Sequence, residues 1–154
     1  SRQNLVQCGD RPARADAIAR GGYVLRDAEG PMQAVIIATG SEVGIALAAQ
    51  AGLAAKWVAV RVVSMPCCER FDRQKAAWKK SVLPSDVVRI AIEAAHPDPW
   101  RKYVGLVGEV LGIETFGASA PAPELYAHFG LTPAHLAQVV VETIARDSGN
   151  DGEI

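Results

Sequence analysis

The chain is poor in cysteine, and this shortage argues against a fold held together by disulfides. It contains three cysteines among 154 residues. Cys67 and Cys68 are adjacent, which is poor geometry for a bridge, and Cys8 lies far from both in sequence. Disulfide frameworks belong mainly to small secreted domains, whereas cytosolic proteins keep their thiols reduced. We therefore expect free thiols and a fold stabilised by apolar packing.

Long apolar runs and an excess of one charge are also missing. No stretch approaches the roughly 18 apolar residues of a membrane-spanning helix, and the first residues carry charges where a signal peptide would have an apolar core. The formal net charge is −1 and the pI is near 6.3, so no basic surface for nucleic acid or anionic membranes is indicated. These absences predict a cytoplasmic protein with neither nucleic acid nor membranes among its partners.

The spacings that bind metals or activate nucleophiles are absent as well. The three histidines, which are His96, His128 and His135, form no short pair with each other or with cysteine, so we expect solvated or capping roles and no metal. Cys67 and Cys68 have no base nearby in sequence, which favours packed or exposed thiols over a nucleophile. The glycines of 105–112 do not follow a predicted strand and are not a dinucleotide fingerprint. They are expected to permit close packing.

What the sequence does contain is an alternation of strands and helices. Ala34–Ala38 is a continuous apolar run, typical of a strand buried on both faces, and Glu42–Ala54 repeats apolar residues at helical spacing. The other predicted strands are 23–25, 57–63, 87–92 and an edge strand at 113–116; the other predicted helices are 69–80, 100–111 and a last helix capped by Thr132 with Pro133 in its first position. The pattern predicts an α/β domain of about five mainly parallel strands in a mixed sheet, with helices on both faces.

The domain is expected to occupy residues 22–147. A chain of this length can bury about 70% of its unfolded surface in one core. Residues 1–21 have mixed polarity and no apolar period, which indicates a linker, and the polar residues 148–154 are expected to fray. The opening Ser1 has no initiating Met before it, so we expect the natural chain to begin further upstream.

One turn in the predicted fold merits attention as a possible binding site. Thr39-Gly40-Ser41-Glu42 ends a buried strand and begins a helix, where free backbone amides can accept an anion. Side-chain capping by Ser41 or Thr39 would satisfy the same amides, and Glu42 would repel a phosphate. We favour the helix cap over the anion site.

Several phrases, in order, resemble the closing third of transketolase. They are Ser1-Arg2-Gln3-Asn4-Leu5, Arg20-Gly21-Gly22-Tyr23-Val24-Leu25, Ile37-Ala38-Thr39-Gly40-Ser41-Glu42-Val43, Arg61-Val62-Val63-Ser64-Met65-Pro66, Ser81-Val82-Leu83-Pro84, Trp100-Arg101-Lys102-Tyr103-Val104-Gly105 and Phe116-Gly117-Ala118-Ser119-Ala120-Pro121-Ala122. Each phrase alone is weak, but their shared order and spacing are specific. Cys67-Cys68 and the stretch 95–99 depart from the family pattern, which puts only the local loops in doubt.

The resemblance implies a part of a larger enzyme. Transketolases use thiamine diphosphate and Mg²⁺ to move two-carbon ketol units between sugar phosphates in the pentose phosphate pathway, and they act as homodimers. Their Gly-Asp-Gly cofactor phrase and catalytic Glu lie in earlier domains and have no counterpart here. The resemblance therefore implies a C-terminal domain that is non-catalytic and cofactor-free alone, linked by 1–21 to a missing pyrimidine-binding domain. It also places Arg2 at the phosphate of the sugar substrate.

Two other interpretations stay open at this stage. The chain could be a free-standing binding or regulatory module that uses the carboxyl ends of its parallel strands, where open α/β sheets usually bind ligands. It could also be the same domain of a related enzyme, such as deoxyxylulose phosphate synthase or a 2-oxo acid dehydrogenase. Ser1-Arg2-Gln3 and the phrase 116–121 favour transketolase over those relatives.

Overall fold

A computed structural model describes residues 15–114 and 122–150 of the chain. Five strands form its sheet: β1 Tyr23–Arg26, β2 Ala34–Ala38, β3 Val60–Ser64, β4 Val88–Ile92 and β5 Glu109–Leu111. The helices are α1 Ala15–Ala19, α2 Glu42–Ala54, α3 Cys68–Asp72, α4 Ala76–Val82, α5 Asp98–Val104, α6 Ala122–His128 and α7 Pro133–Asn150. Within these ranges, no helix combines the length and apolar character needed to cross a membrane.

The sheet has the strand order β1-β3-β2-β4-β5. Strand β2 lies at its centre and pairs in parallel with β3 on one side and β4 on the other, while β5 continues in parallel beyond β4. Strand β1 is antiparallel to β3 and forms the opposite edge. All five residues of β2 are buried, as its uninterrupted apolar sequence predicted.

Side chains alternate across the sheet and divide the interior into two cores. One core joins Ile36, Val62 and Ile90 to buried residues of α2 and α7. The other joins Ile37 and Val63 to side chains of the helices on the opposite face, including Phe71, Val82, Trp100 and Tyr103. Helices thus cover both faces, and the predicted mixed α/β sheet of five mainly parallel strands is confirmed.

The region after β4 differs from the sequence prediction. Helix α5 ends at Val104 and does not continue through residue 111, because Gly105 adopts φ 75° and breaks the helical path. Residues 109–111 form β5, so the predicted edge strand at 113–116 was wrong for Ile113 and Glu114, which lie outside any strand. Residues 115 and 116 lie outside the described ranges.

Other boundaries also shift. The predicted helix 69–80 is two helices, because Lys75 is extended at ψ 149°, and the strand predicted from residue 57 begins at Val60. Thr132 caps α7 as predicted, with its Oγ1 accepting a hydrogen bond from His135 N at 3.2 Å. Helix α7 continues to Asn150, so residues 148–150 of the predicted frayed tail are helical. Helix α1 lies inside the segment predicted as a linker.

Candidate functional site

The sheet order reverses between β2 and β4, and the region at the carboxyl ends of these two strands is called the crevice below. The connection after β2 leads to β3 on one side, whereas the chain after β3 crosses over to β4 on the other. Open α/β sheets bind ligands where the strand order reverses in this way. The turn 39–42 follows β2 here, and Glu93 follows β4.

A hydrogen-bonded cluster occupies the β2 side of this crevice. Glu42 is 3% exposed, and its Oε1 accepts hydrogen bonds from Ser41 Oγ at 2.8 Å and from the Tyr126 hydroxyl at 2.5 Å. The two hydroxyls are also 2.7 Å apart. Because Tyr126 belongs to α6 and Glu42 begins α2, the cluster ties these helices together above the sheet.

The predicted side-chain cap of α2 is not formed by Ser41. This residue is already helical, at φ −67° and ψ −28°, and its side chain makes no capping bond. Its hydroxyl turns to Glu42 and Tyr126 instead, while Glu42 N donates to Thr39 O at 3.2 Å. The buried Glu42 carboxylate at this helix start would oppose a bound anion.

Glu93 adds a second carboxyl to the crevice. Burial and the charge of Glu42 raise the pKa of Glu93 to about 7, because both effects disfavour a second negative charge here. The crevice can therefore hold a proton near neutral pH and accept hydrogen bonds from hydroxyl or amine groups. It is poorly suited to phosphates.

The described cysteines are half-buried, and the described histidines are exposed. Burial raises the pKa of the Cys68 thiol, which favours its protonated form. Cys67 is likewise a free thiol. His135 Nδ1 lies 2.7 Å from Gly130 O, and no group of three or more His, Cys, Asp or Glu residues within the described ranges is arranged to hold a metal.

The one substrate residue predicted from sequence, Arg2, lies outside the described residues, as do Cys8 and the phrase 116–121. The sequence interpretation missed Glu93 and Tyr126. Glu93 had a usable signal, since it directly follows a buried strand, where ligand-facing residues of α/β sheets occur. Tyr126 had none, because its contact with Ser41 spans 85 positions in the chain.

A family model described as the transketolase-like C-terminal domain matches residues 21–132. The chain is 54% identical over 137 residues to the chromosomal transketolase of Cupriavidus necator, covering 89% of this chain and 20% of that protein. It is 51% identical over 147 residues to transketolase 2 of Aliivibrio fischeri, covering 94% and 22%.

Solved structures give the same result. A transketolase from Pichia stipitis in complex with sedoheptulose 7-phosphate superposes with a TM-score of 0.85 at 36% identity, covering 96% of this chain and 21% of that chain. The chain thus spans only about a fifth of the proteins it matches.

Proposed function

The chain belongs to the transketolase family, and from this membership we propose that it serves as the C-terminal domain of a transketolase. The enzyme would transfer two-carbon ketol units between sugar phosphates, in the pentose phosphate pathway. The observation that carries the proposal is the match of residues 21–132 to the family's C-terminal domain, together with relatives about five times longer than this chain.

The described residues do not fit the cofactor of such an enzyme. At the carboxyl ends of β2 and β4, the buried Glu42 and the neighbouring Glu93, whose pKa is about 7, would disfavour a diphosphate. We therefore assign thiamine diphosphate and Mg²⁺ to the other domains, and to this chain a structural, non-catalytic role in a homodimer. The same acidic crevice lends little support to a free-standing module for phosphorylated ligands.

We assign to Arg2 a contact with the phosphate of the sugar substrate. The planar guanidinium can donate two parallel hydrogen bonds to phosphate oxygens, which lysine cannot copy. One charged hydrogen bond contributes about 1.5–3 kcal/mol, whereas even millimolar affinity requires about 4 kcal/mol. Arg2 would therefore act only beside phosphate ligands from the rest of the enzyme.

A domain exchange tests the function. The chain alone, given thiamine diphosphate, Mg²⁺, a ketose phosphate and an aldose phosphate, should show no ketol transfer. Replacing the C-terminal domain of the Cupriavidus necator enzyme by this chain should give an active dimer. Turnover by the isolated chain, or a well-folded dimeric chimaera without activity, would contradict the proposal.

The same chimaera tests Arg2. Arg2→Ala should lower kcat/KM for phosphorylated substrates by about 10- to 150-fold, mainly through KM, because the phosphate is bound alike in ground and transition states. An unphosphorylated substrate should be unaffected, and the exposed Arg101→Ala is the control. Equal losses for both substrate types would identify Arg2 as a structural residue.

A further inference from the structure

A cavity lies beside the amino ends of β2 and β3, at the other end of the strands from the crevice. It has a volume of about 670 Å³ and is lined by the turn after β1, the end of α2 and the segment that leads into β3. Its polar lining residues include Arg26, Glu29, Gln33 and Gln50, and its apolar lining includes Trp57. The size is that of a small-molecule site.

Trp57 is the unusual residue of this cavity. Its side chain is 92% exposed, whereas tryptophan is usually largely buried. Its backbone adopts φ 61°, and it is the one non-glycine residue with positive φ within the described ranges. Bulky residues rarely adopt this conformation. Neither core packing nor backbone preference explains a tryptophan here, and such outliers cluster at ligand sites.

Gln50 provides an independent sign of an incomplete site. This residue is 7% exposed, and its Nε2 donates to the carbonyl oxygens of Val60 at 2.8 Å and Asp27 at 3.2 Å. Its Oε1 is buried and has no hydrogen-bond partner within the described part of the chain. Buried acceptors are nearly always paired, so a residue that lines the cavity keeps a buried acceptor without a donor among the described residues.

The charges at the rim indicate the class of ligand. Arg26 and Glu29 are exposed and carry opposite charges, and neither side chain makes an ion pair or hydrogen bond to another described residue. Asp27 is already held by Arg61, whose Nε and Nη2 donate to its carboxylate at 2.8 and 3.1 Å. A ligand with a single net charge would meet one like charge at this rim. Hydroxyl groups both donate and accept hydrogen bonds, so they suit both residues.

We propose that this cavity binds an uncharged, ring-shaped polyhydroxylated molecule, a sugar or cyclic polyol, with its apolar ring face against the indole of Trp57. The hydroxyls would bond to the Arg26 and Glu29 side chains at the rim, above the buried Gln50. The site is separate from the crevice at the carboxyl ends of β2 and β4, and its proposed binding does not depend on ketol transfer.

The test follows the indole N–H signals of the ¹⁵N-labelled 154-residue chain during titration with glucose and with myo-inositol. The chain has three tryptophans, and Trp57→Gly identifies the signal of Trp57 by its loss. We expect saturable shifts of the Trp57 signal at millimolar ligand, and backbone shifts around Gln50. By backbone shifts, Trp57→Gly should bind at least about tenfold more weakly, whereas Trp57→Tyr should retain most of the affinity.

The controls separate binding from folding and from general stickiness. Leu106→Ala removes another fully exposed apolar side chain far from the cavity lining and should leave affinity unchanged. Glycine, as a zwitterion, and tetramethylammonium, as a cation, should give no saturable shift. The proposal is overturned if the polyols give no saturable shift, if Trp57→Gly binds them as well as the parent chain, or if only the charged probes saturate.

Discussion

Trp57 occupies the position after α2 where a glycine is usual. The hydrogen bonds Trp57 N to Ala54 O and Val58 N to Leu53 O are those of a Schellman motif, whose penultimate residue adopts the left-handed conformation. That conformation costs a residue with a Cβ about 1–2 kcal/mol. The turn thus adopts the left-handed conformation although the side chain of Trp57 disfavours it.

Replacing this residue by glycine should therefore stabilise the chain. Trp57→Gly is expected to raise the free energy of unfolding by about 1 kcal/mol, since the relieved strain outweighs the added freedom of the unfolded chain. Chemical denaturation measures the change. Ala54→Gly, within the same helix, is the matched control and should lower stability by about 1 kcal/mol. A destabilised Trp57→Gly chain would mean that the indole packs more than its exposure indicates.

Glu93 should make stability depend on pH near neutrality. Its pKa is raised from 4.5 to about 7 in the folded chain by burial and by Glu42, so the folded state keeps a proton that the unfolded state has lost. This contribution is complete below about pH 4.5 and disappears as the pH rises through 7. Stability should fall across that interval.

Glu93→Gln tests this assignment because the amide resembles the protonated acid. The variant should flatten the pH dependence of the unfolding free energy between about pH 5 and 8 and exceed the parent chain in stability at pH 8. Glu69→Gln, which removes an exposed carboxyl from α3, is the matched control. An unchanged slope in Glu93→Gln would contradict the assignment of the pH dependence to Glu93.

At the scale of elements, the turn between α5 and β5 depends on close backbone approach. A Cβ built on Gly108 would lie 2.2 Å from Arg89 O and 2.4 Å from Val104 O, both backbone atoms that cannot easily move. Gly108→Ala should therefore destabilise the chain by about 1–3 kcal/mol. In contrast, Gly44 in α2 has open space around it, and Gly44→Ala should stabilise by about 0.5–1 kcal/mol. Thermal unfolding of both variants measures the two changes. A loss of stability indicates a steric clash of the added methyl group, and a gain indicates a less flexible unfolded chain.

The sequence predicted best the elements that have a strong local pattern of apolar residues. Strand β2 and helix α2 were predictable because an unbroken apolar run and a helical period each allow one structure. Residues 105–111 were wrongly assigned to a helix, because the apolar residues between the glycines suit a helix as well as a strand. The Glu42–Tyr126 contact was unpredictable, since it depends on how α6 packs over the sheet. Arg2 was assigned by resemblance, and its role stays a prediction.

At the scale of the whole molecule, the two cores are built on the same strands. Ile36 faces one core and its neighbours Val35 and Ile37 face the other, so neither core can be lost without disrupting β2. The chain should unfold in one cooperative transition.

Matched truncations test this coupling. Leu136→Ala in one core and Phe71→Ala in the other should each destabilise by about 2–5 kcal/mol. In both variants, far-UV circular dichroism and tryptophan fluorescence should report the same midpoint. Separate midpoints for the two signals would show that one core unfolds independently of the other.

The antiparallel strand β1 has a consequence for synthesis of the chain. Its partner is β3, which begins only at Val60, whereas β1 ends at Arg26. At about 5–20 residues per second, the ribosome adds the intervening segment in about 2–7 s. During that interval β1 has no strand to pair with. It can join the sheet only after β2, α2 and β3 have been synthesised. The order of emergence from the ribosome is therefore not the order of assembly.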